Sequence, residues 1–361
     1  MQAAFNEQCT IMSTLENSQY FFQGSIAAAT KFSEHTVFLD FLNPTATKLW
    51  SKGINDLFVK FTFDGFWISG GAFETLCDGE CPLGKPKPPT QKAVVNDTPT
   101  DWYHTSKDQD KVSTYDLPFI PFPQINLDHN TLSLNATHSG AHTEYDVHNL
   151  NPVLIAKATQ QSLYSAFYNK RPFLTSDSSF PSSGKYAVGH SVGPNDKGDW
   201  SQLNLALSEI MQMNMYGVPM TGADVCGVWG DVANQGTYEQ LCARWLQMHT
   251  YIPFVRQHYP AQVTVDKVTA YVPLEPYNLP TPKYKTMASN ALSKRLEFAH
   301  YFYTMLFEAS NSGGPVVTPN FFQFPADPIA YQDFKSYFLG AIHVSPVMQD
   351  AATATFKAYV P

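Results

Sequence analysis

The feature that most constrains the fold is a repeated alternation of short apolar runs with segments of helical periodicity. Residues 36–68 predict a strand (Val37–Leu39), a helix and a second strand (Val59–Ile68). The alternation continues as helix 150–167, strand Pro172–Thr175, helix Trp200–Met213, strand Val218–Thr221 and helices Tyr238–Tyr251 and Lys283–Ala309. Repeated strand–helix units indicate an α/β fold with a parallel sheet. Because no dinucleotide fingerprint follows a strand, a (β/α)8 TIM barrel is favoured over an open nucleotide-binding sheet, and we expect no cofactor.

Two segments depart from this alternation. Residues 82–142 contain proline-rich stretches and few periodic apolar positions, which predicts a long loop insertion. From Tyr337 onward the chain is short and rich in Val, Ala, Thr and Pro, without a helical stripe. We therefore predict a partial barrel domain over residues 1–330 and the beginning of an all-β domain over residues 331–361.

Charge and hydropathy exclude two classes of partner. The formal net charge is −8 and no basic stripe is present, so we expect no nucleic-acid partner. No apolar run approaches the ~20 residues that cross a bilayer, so we expect no transmembrane segment.

Aromatic residues form 14% of the chain. Such a content is typical of proteins that stack on sugar rings and equally of aromatic cores.

Cysteines and sequons together favour the secretory pathway, with the protein secreted, at the cell surface or in a lumen. Asn96 and Asn135 each begin a glycosylation sequon in polar surroundings. Five cysteines permit two disulfides and one remaining thiol. Cys77 and Cys81 could form a local disulfide around a tight turn, whereas Cys9 has no evident partner.

Three histidines, at His138, His142 and His148, have a spacing that invites a metal interpretation. They straddle a loop and the start of a helix, and no carboxylates follow them at matching intervals. We interpret them as surface or helix-capping residues, and we expect no metal site.

Several colinear segments resemble the α-glucosidases of glycoside hydrolase family 31. Phe63–Ile68 is nearly the strand that carries the family's nucleophile. Val37–Pro44 precedes this strand and matches the family's strand and turn before the nucleophile. The segments after it match in family order: Tyr145–Leu150, Arg171–Leu174, Gly184–Ala187, Gly217–Gly227, Leu241–Trp245 and Pro253–His258. The resemblance covers nearly the whole chain. It implies a (β/α)8 barrel whose site lies at the carboxyl ends of the strands and which acts by retention on α-linked glucosides.

The positions that carry the family's chemistry are changed here. A retaining glycosidase needs two carboxyl groups about 5–5.5 Å apart. The resemblance places Ser69 at the nucleophile, where the family has Asp, and Pro194 at the acid/base, where the family has Asp. Neither side chain is a carboxylate, so we predict a catalytically inactive member of the family. Asp177 replaces a sugar-contacting arginine, which inverts a charge in the pocket.

The same resemblance assigns further roles. Trp67, Asp224 and His258 match positions that line the family's sugar subsite, so they could still hold a glucosyl ring, although retention for barrel packing is the alternative that we favour. Cys226 and Cys242 occupy the positions of a family disulfide.

Three functions remain open. The first is a non-catalytic barrel for binding or assembly in a secreted or cell-surface complex. The second is an active retaining α-glucosidase whose carboxylates have moved to Asp196 and to Glu74 or Asp177. The third is a lectin-like α-glucan binder, with carbohydrate as its ligand. Because the family's first barrel strands precede the matched segments, we also expect another polypeptide or a missing segment to complete the barrel.

Overall fold

The structure is a computed structural model. It describes residues 38–68, 71, 73, 131–132, 134, 136–168, 170–187, 198–227, 238–257, 261–265, 268–272, 275–349 and 355–361. The described residues group into two compact units. The first holds those between 38 and 64 and between 71 and 172, and the second holds 65–68 and those from 173 onward. None of the helices in these ranges is long and apolar enough to cross a membrane.

The first unit is helical. Its helices are α1 (Pro44–Lys60), α2 (Glu144–Val147) and α3 (Asn151–Ala166). The side chain of Asn43 caps α1 by accepting a hydrogen bond from the backbone N–H of Thr45. Trp50 on α1 donates from Nε1 to Oγ1 of Thr159 on α3 at 2.9 Å, which ties the two helices together. The helix predicted at 150–167 is confirmed.

The end of α1 corrects one prediction. The helix continues to Lys60, so the predicted strand Val59–Ile68 is wrong in its first part. Phe58 extends the apolar stripe of the helix, and its ring packs against that of Phe167 with a centroid separation of 5.1 Å. This contact lies in the last turn of the helix, and the strand begins only at Gly65.

The second unit contains all the strands in the described part of the chain. They are β1 (Gly65–Ile68), β2 (Phe173–Ser176), β3 (Ala261–Val265), β4 (Val268–Val272), β5 (Val317–Thr318), β6 (Tyr337–Leu339) and β7 (Ile342–Val344). β1 and β2 pair in parallel, with Gly65 opposite Phe173. This pairing agrees with the predicted parallel sheet and with the strand predicted at Pro172–Thr175. β3 and β4 form an antiparallel pair.

The helices of the second unit build its core. They are α4 (Trp200–Met215), α5 (Tyr238–His249), α6 (Pro282–Glu297), α7 (Ala299–Ser312) and α8 (Asn320–Gln323). Leu207 of α4 and Trp245 of α5 are fully buried in one hydrophobic cluster. The prediction of a single helix over Lys283–Ala309 is wrong, because the helix is interrupted at Phe298 and two helices result. The ring of Phe298 packs edge-on against Tyr251, at 5.1 Å between centroids.

The predicted strand Val218–Thr221 is also wrong. Gly217 turns the chain with a φ of 85°, and the hydroxyl of Thr221 donates back to the carbonyl of Val218. These residues therefore bond to their own segment, and further on Asp224 pairs with Arg256 through a parallel bridge.

The last part of the chain forms a three-stranded antiparallel sheet in the order β5–β6–β7. Strands after residue 337 were predicted and are present. β5 lies before residue 330, and one core cluster contains both Val316 and Tyr337. The domain bounds of 1–330 and 331–361 stay a prediction.

Candidate functional site at the strand ends

The carboxyl ends of β1 and β2 bring Trp67 and Asp177 together. The backbone N–H of Asp177, the residue after β2, donates to the carbonyl of Ile68 at 3.1 Å. The indole Nε1 of Trp67 donates to Oδ1 of Asp177 at 2.6 Å. Asp177 therefore holds the indole by a hydrogen bond to a charged group, at the position where the resemblance places a sugar-contacting arginine.

Arg256 covers one face of the same indole. Its guanidinium carbon lies 3.9 Å from the centroid of the Trp67 ring, a cation–π geometry. Arg256 also forms two hydrogen bonds to Asp224, from Nε to Oδ1 and from Nη2 to Oδ2. Asp224 is only 1% exposed. Both of its oxygens thus accept from Arg256 in a bidentate, partly buried ion pair, and the choice between a packing role and a sugar-binding role for Asp224 stays a prediction.

The role of Arg256 was not predicted from the sequence. The signal was present, because Asp224 and Arg256 carry opposite charges in two matched segments, Gly217–Gly227 and Pro253–His258. What was missing was the parallel bridge that brings the two residues side by side.

The predicted disulfide between Cys226 and Cys242 is confirmed. It joins the segment after Asp224 to α5, with 4.6 Å between the Cα atoms and a sequence separation of 16. A loop of this length is stabilised by ~3 kcal/mol in the chain-entropy account. The bond therefore holds the Asp224 segment against the helical core.

Several predicted residues lie outside the described ranges, and their assignments stay predictions. They are Ser69, Glu74, Cys77, Cys81, Asn96, Asn135, Pro194, Asp196 and His258. Cys9 belongs to the same group.

The interpretation of His138 as a surface or capping residue is wrong. Its Nδ1 lies 3.0 Å from Oδ1 of Asp40, and its Nε2 lies 2.7 Å from Oε2 of Glu144. Burial would lower the pKa of His138, but hydrogen bonds to these two carboxylates raise it to about 9. The ring is therefore a buried cation. His148 is 22% exposed and contacts the other oxygen of Glu144 at 2.9 Å.

The same two carboxylates bond to both ring nitrogens of His138. Each imidazole nitrogen of His138 faces a carboxylate oxygen directly, so the nitrogens carry protons. Throughout the ranges that the structure describes, no group of His, Cys, Asp and Glu side chains is arranged to hold a metal ion.

A second buried histidine, His249, was not singled out from the sequence. It is 1% exposed at the end of α5. Its Nδ1 lies 3.1 Å from the carbonyl of Trp245, and its Nε2 accepts from the backbone N–H of Ala223 at 3.3 Å. Burial lowers its pKa to about 3, so the ring is neutral. It links α5 to the segment that carries Asp224.

The parallel pairing of β1 with β2, the parallel bridge between Asp224 and Arg256 and the surrounding helices agree with a barrel protein of the (β/α)8 class. The chain belongs to glycoside hydrolase family 31, because the sequence model of the "Glycosyl hydrolases family 31 TIM-barrel domain" matches residues 2–305.

Known proteins agree with this membership. A probable alpha-glucosidase of Oryza sativa subsp. japonica is 30% identical over 325 residues, covering 90% of this chain and 32% of the relative. The lysosomal acid alpha-glucosidase of Tetrahymena pyriformis is 32% identical, covering 87% of this chain and 33% of the relative. The ER glucosidase II heterodimeric complex superposes with a TM-score of 0.69 at 20% identity, covering 98% of this chain and 31% of that one. The chain thus spans about a third of the length of these proteins.

Proposed function

We propose that this chain is a family 31 barrel that does not hydrolyse glycosidic bonds and that serves binding or structural assembly. The observation that carries the proposal is the loss of both family carboxylates, since Ser69 and Pro194 stand where nucleophile and acid/base are matched. Neither side chain supplies the carboxylate chemistry of a retaining mechanism. Each missing carboxylate raises the activation free energy of hydrolysis, and every ~1.4 kcal/mol lowers the rate tenfold. The absence of both therefore abolishes turnover.

The described side chains support this proposal. The two carboxylates described near Trp67 already have partners: Asp224 is bound by Arg256, and Asp177 accepts from Trp67. These contacts stabilise the strand ends. A barrel with a structural role and no catalytic role would retain such stabilising contacts.

The test is hydrolysis of an aryl α-glucoside and of maltose by the purified protein. We expect no release of product above that of a heat-inactivated sample. Asp177→Asn and Asp196→Asn should match the wild type, as should Asp56→Asn, an exposed carboxylate on α1 that serves as the control. Turnover by the wild type that falls in Asp177→Asn or Asp196→Asn, and not in Asp56→Asn, overturns the proposal.

The second candidate function is an active retaining α-glucosidase with displaced carboxylates. Its support is the position of Asp177 beside Trp67 and the alpha-glucosidase names of the relatives. Asp196 and Glu74 are its other candidate carboxylates. The same assay decides once Glu74→Gln is added to it, because this function requires turnover that depends on at least one of the three residues.

A sugar could still bind without being cleaved, as in a lectin. Trp67 offers an aromatic ring, and the sequence match adds His258. Saccharide-dependent thermal stabilisation that disappears in His258→Ala supports this role. Equal stabilisation of wild type and variant excludes a role for His258.

We place the protein in the secretory pathway, as a secreted, cell-surface or lumenal glycoprotein with glycans at Asn96 and Asn135. The support is the lysosomal and ER naming of two relatives, together with the Cys226–Cys242 disulfide. We further propose that another polypeptide or further segment completes the barrel. A shift in mass after treatment with an N-glycosidase tests the glycans.

A further inference from the structure

A cavity of about 650 Å³ lies in the second unit between α5, α6, β7 and the residues that directly follow β7. Its volume is typical of small-molecule sites. The cavity shares no lining residue with the cluster around Trp67, so it is a separate site.

The charge of the lining is positive. Arg244 of α5 and Lys294 of α6 line the cavity, and its lining includes no Asp or Glu. Lys294 pairs with Glu297 at 2.6 Å, but both side chains are at least half exposed, so this pair contributes little. Lys294 therefore remains available to a ligand.

Arg244 is the more informative cation. Its Nη1 donates to Oε1 of Gln247 at 3.0 Å, and in the described part of the chain no carboxylate pairs with it. Its Nε is buried and has no hydrogen-bond partner among the described residues. An unsatisfied buried N–H on a cationic group beside a cavity is a common sign of a missing water or bound ion.

The other side chains that line the cavity form a polar group, with hydroxyls and amides, and an apolar group. Gln247, Asn290, Tyr251 and Ser345 provide groups that bond to hydroxyls. His343 also lines the cavity, and burial lowers its pKa, which keeps the ring neutral near pH 7. The apolar part consists of Met287, Ala291, Ile342, Val344, Pro346 and Val347.

We propose that this cavity binds an acidic sugar, that is, a hexose that carries a phosphate or a carboxylate group. The cations bind the anionic group, the amides and hydroxyls bind the sugar hydroxyls, and the apolar wall contacts the ring. The proposal does not depend on whether the barrel hydrolyses glycosides.

Isothermal titration calorimetry at constant ionic strength tests the proposal with four probes: glucose 6-phosphate, glucuronate, glucose and inorganic phosphate. We expect saturable binding of glucose 6-phosphate or glucuronate, at least about tenfold tighter than binding of glucose or of phosphate. The stronger of the two charged sugars identifies the anionic group. Absence of binding by both overturns the proposal, and inorganic phosphate that binds as tightly as the sugar phosphate reduces the site to an anion site.

Charge substitutions locate the binding. Asn290→Asp adds a negative charge to the lining and should weaken binding at least about tenfold. Ser289→Asp makes the same charge change one residue away, on an exposed position that does not line the cavity, and should leave binding unchanged. Equal loss in both variants contradicts the site.

A second pair of variants keeps the test valid if Asn290→Asp fails to fold. Lys294→Gln should weaken binding about fivefold to tenfold. Lys285→Gln, on the same helix and outside the cavity, should not. Circular dichroism of each variant verifies the fold. Unchanged affinity in Lys294→Gln, with the fold intact, counts against the proposed role of the cations.

Discussion

Each of the two units buries a histidine, and the two histidines differ in charge near neutral pH. His138 is 9% exposed and His249 is 1% exposed, so burial alone does not separate them. His138 lies between two carboxylates, and its pKa is raised to about 9. The ring of His249 bonds to a backbone carbonyl and a backbone N–H, and burial, with a smaller contribution from the charge of Arg295, lowers its pKa to about 3. The partners decide whether a buried imidazole is a cation or a neutral hydrogen-bonding group.

The difference fixes the direction of each pH dependence. The folded-state pKa of His138 is above its ordinary value of 6.5, so its contribution to stability is present below pH 6.5 and is lost as pH rises through about 9. The folded-state pKa of His249 is below 6.5, so the unfolded chain takes up the proton first. Its contribution is present above pH 6.5 and is lost as pH falls toward about 3.

The largest expected effect follows from removal of the buried cation. His138→Leu removes the cation between two buried carboxylates, leaving Asp40 with backbone N–H donors and Glu144 with His148, and it should lower the free energy of unfolding by about 3–5 kcal/mol at pH 7. Urea unfolding measures the change. His142→Gln is the matched control, because His142 is exposed, and it should cost less than about 0.5 kcal/mol. Equal stability of the two variants would show that His138 is not a structural cation.

The contrast also shows what could be predicted from the sequence. Helices α3 and α4 follow from the spacing of their own apolar residues, since that pattern is local. The charge of His138 depends on Asp40, which is 98 residues away in the sequence, and no spacing rule joins the two. The strand predicted at Val218–Thr221 was wrong for the same reason, because pairing with Arg256 occurs at Asp224.

The candidate site divides in the same way. The matched segments predicted that Trp67, Asp177 and Asp224 belong to one region. The hydrogen bond from Trp67 to Asp177 depends on the register of β1 against β2, which sets residue 67 opposite residue 175. The ion pair between Arg256 and Asp224 also depends on tertiary structure, because the parallel bridge brings the two residues side by side. The sequence thus indicated that Trp67, Asp177 and Asp224 belong together, and the structure added Arg256 and the contacts that join them.

A second prediction addresses the acid limb. Between pH 6.5 and about 3 the wild type should lose stability at up to ~1.4 kcal/mol per pH unit through His249. His249→Gln keeps an amide near the N–H of Ala223 and cannot take up a proton, so this part of the slope should disappear. Urea unfolding of both proteins at pH 7, 6 and 5 gives the slopes. His300→Gln, an exposed histidine on α7, is the control and should keep the wild-type slope.

The smallest expected effect concerns how the two carboxylates share the control of His138. Glu144→Gln removes one negative charge and leaves an oxygen near Nε2, so the pKa of His138 should fall from about 9 toward 6.5 without full loss of the charged form near neutral pH, because Asp40 remains. NMR titration of the His138 ring measures this pKa. Asp146→Asn removes an exposed carboxylate that bonds to Thr143, and it should leave the titration unchanged. A pKa that stays at about 9 in Glu144→Gln would assign the raised value to Asp40 alone. The buried cation of the first unit would then be a simple pair rather than a bridge between two carboxylates.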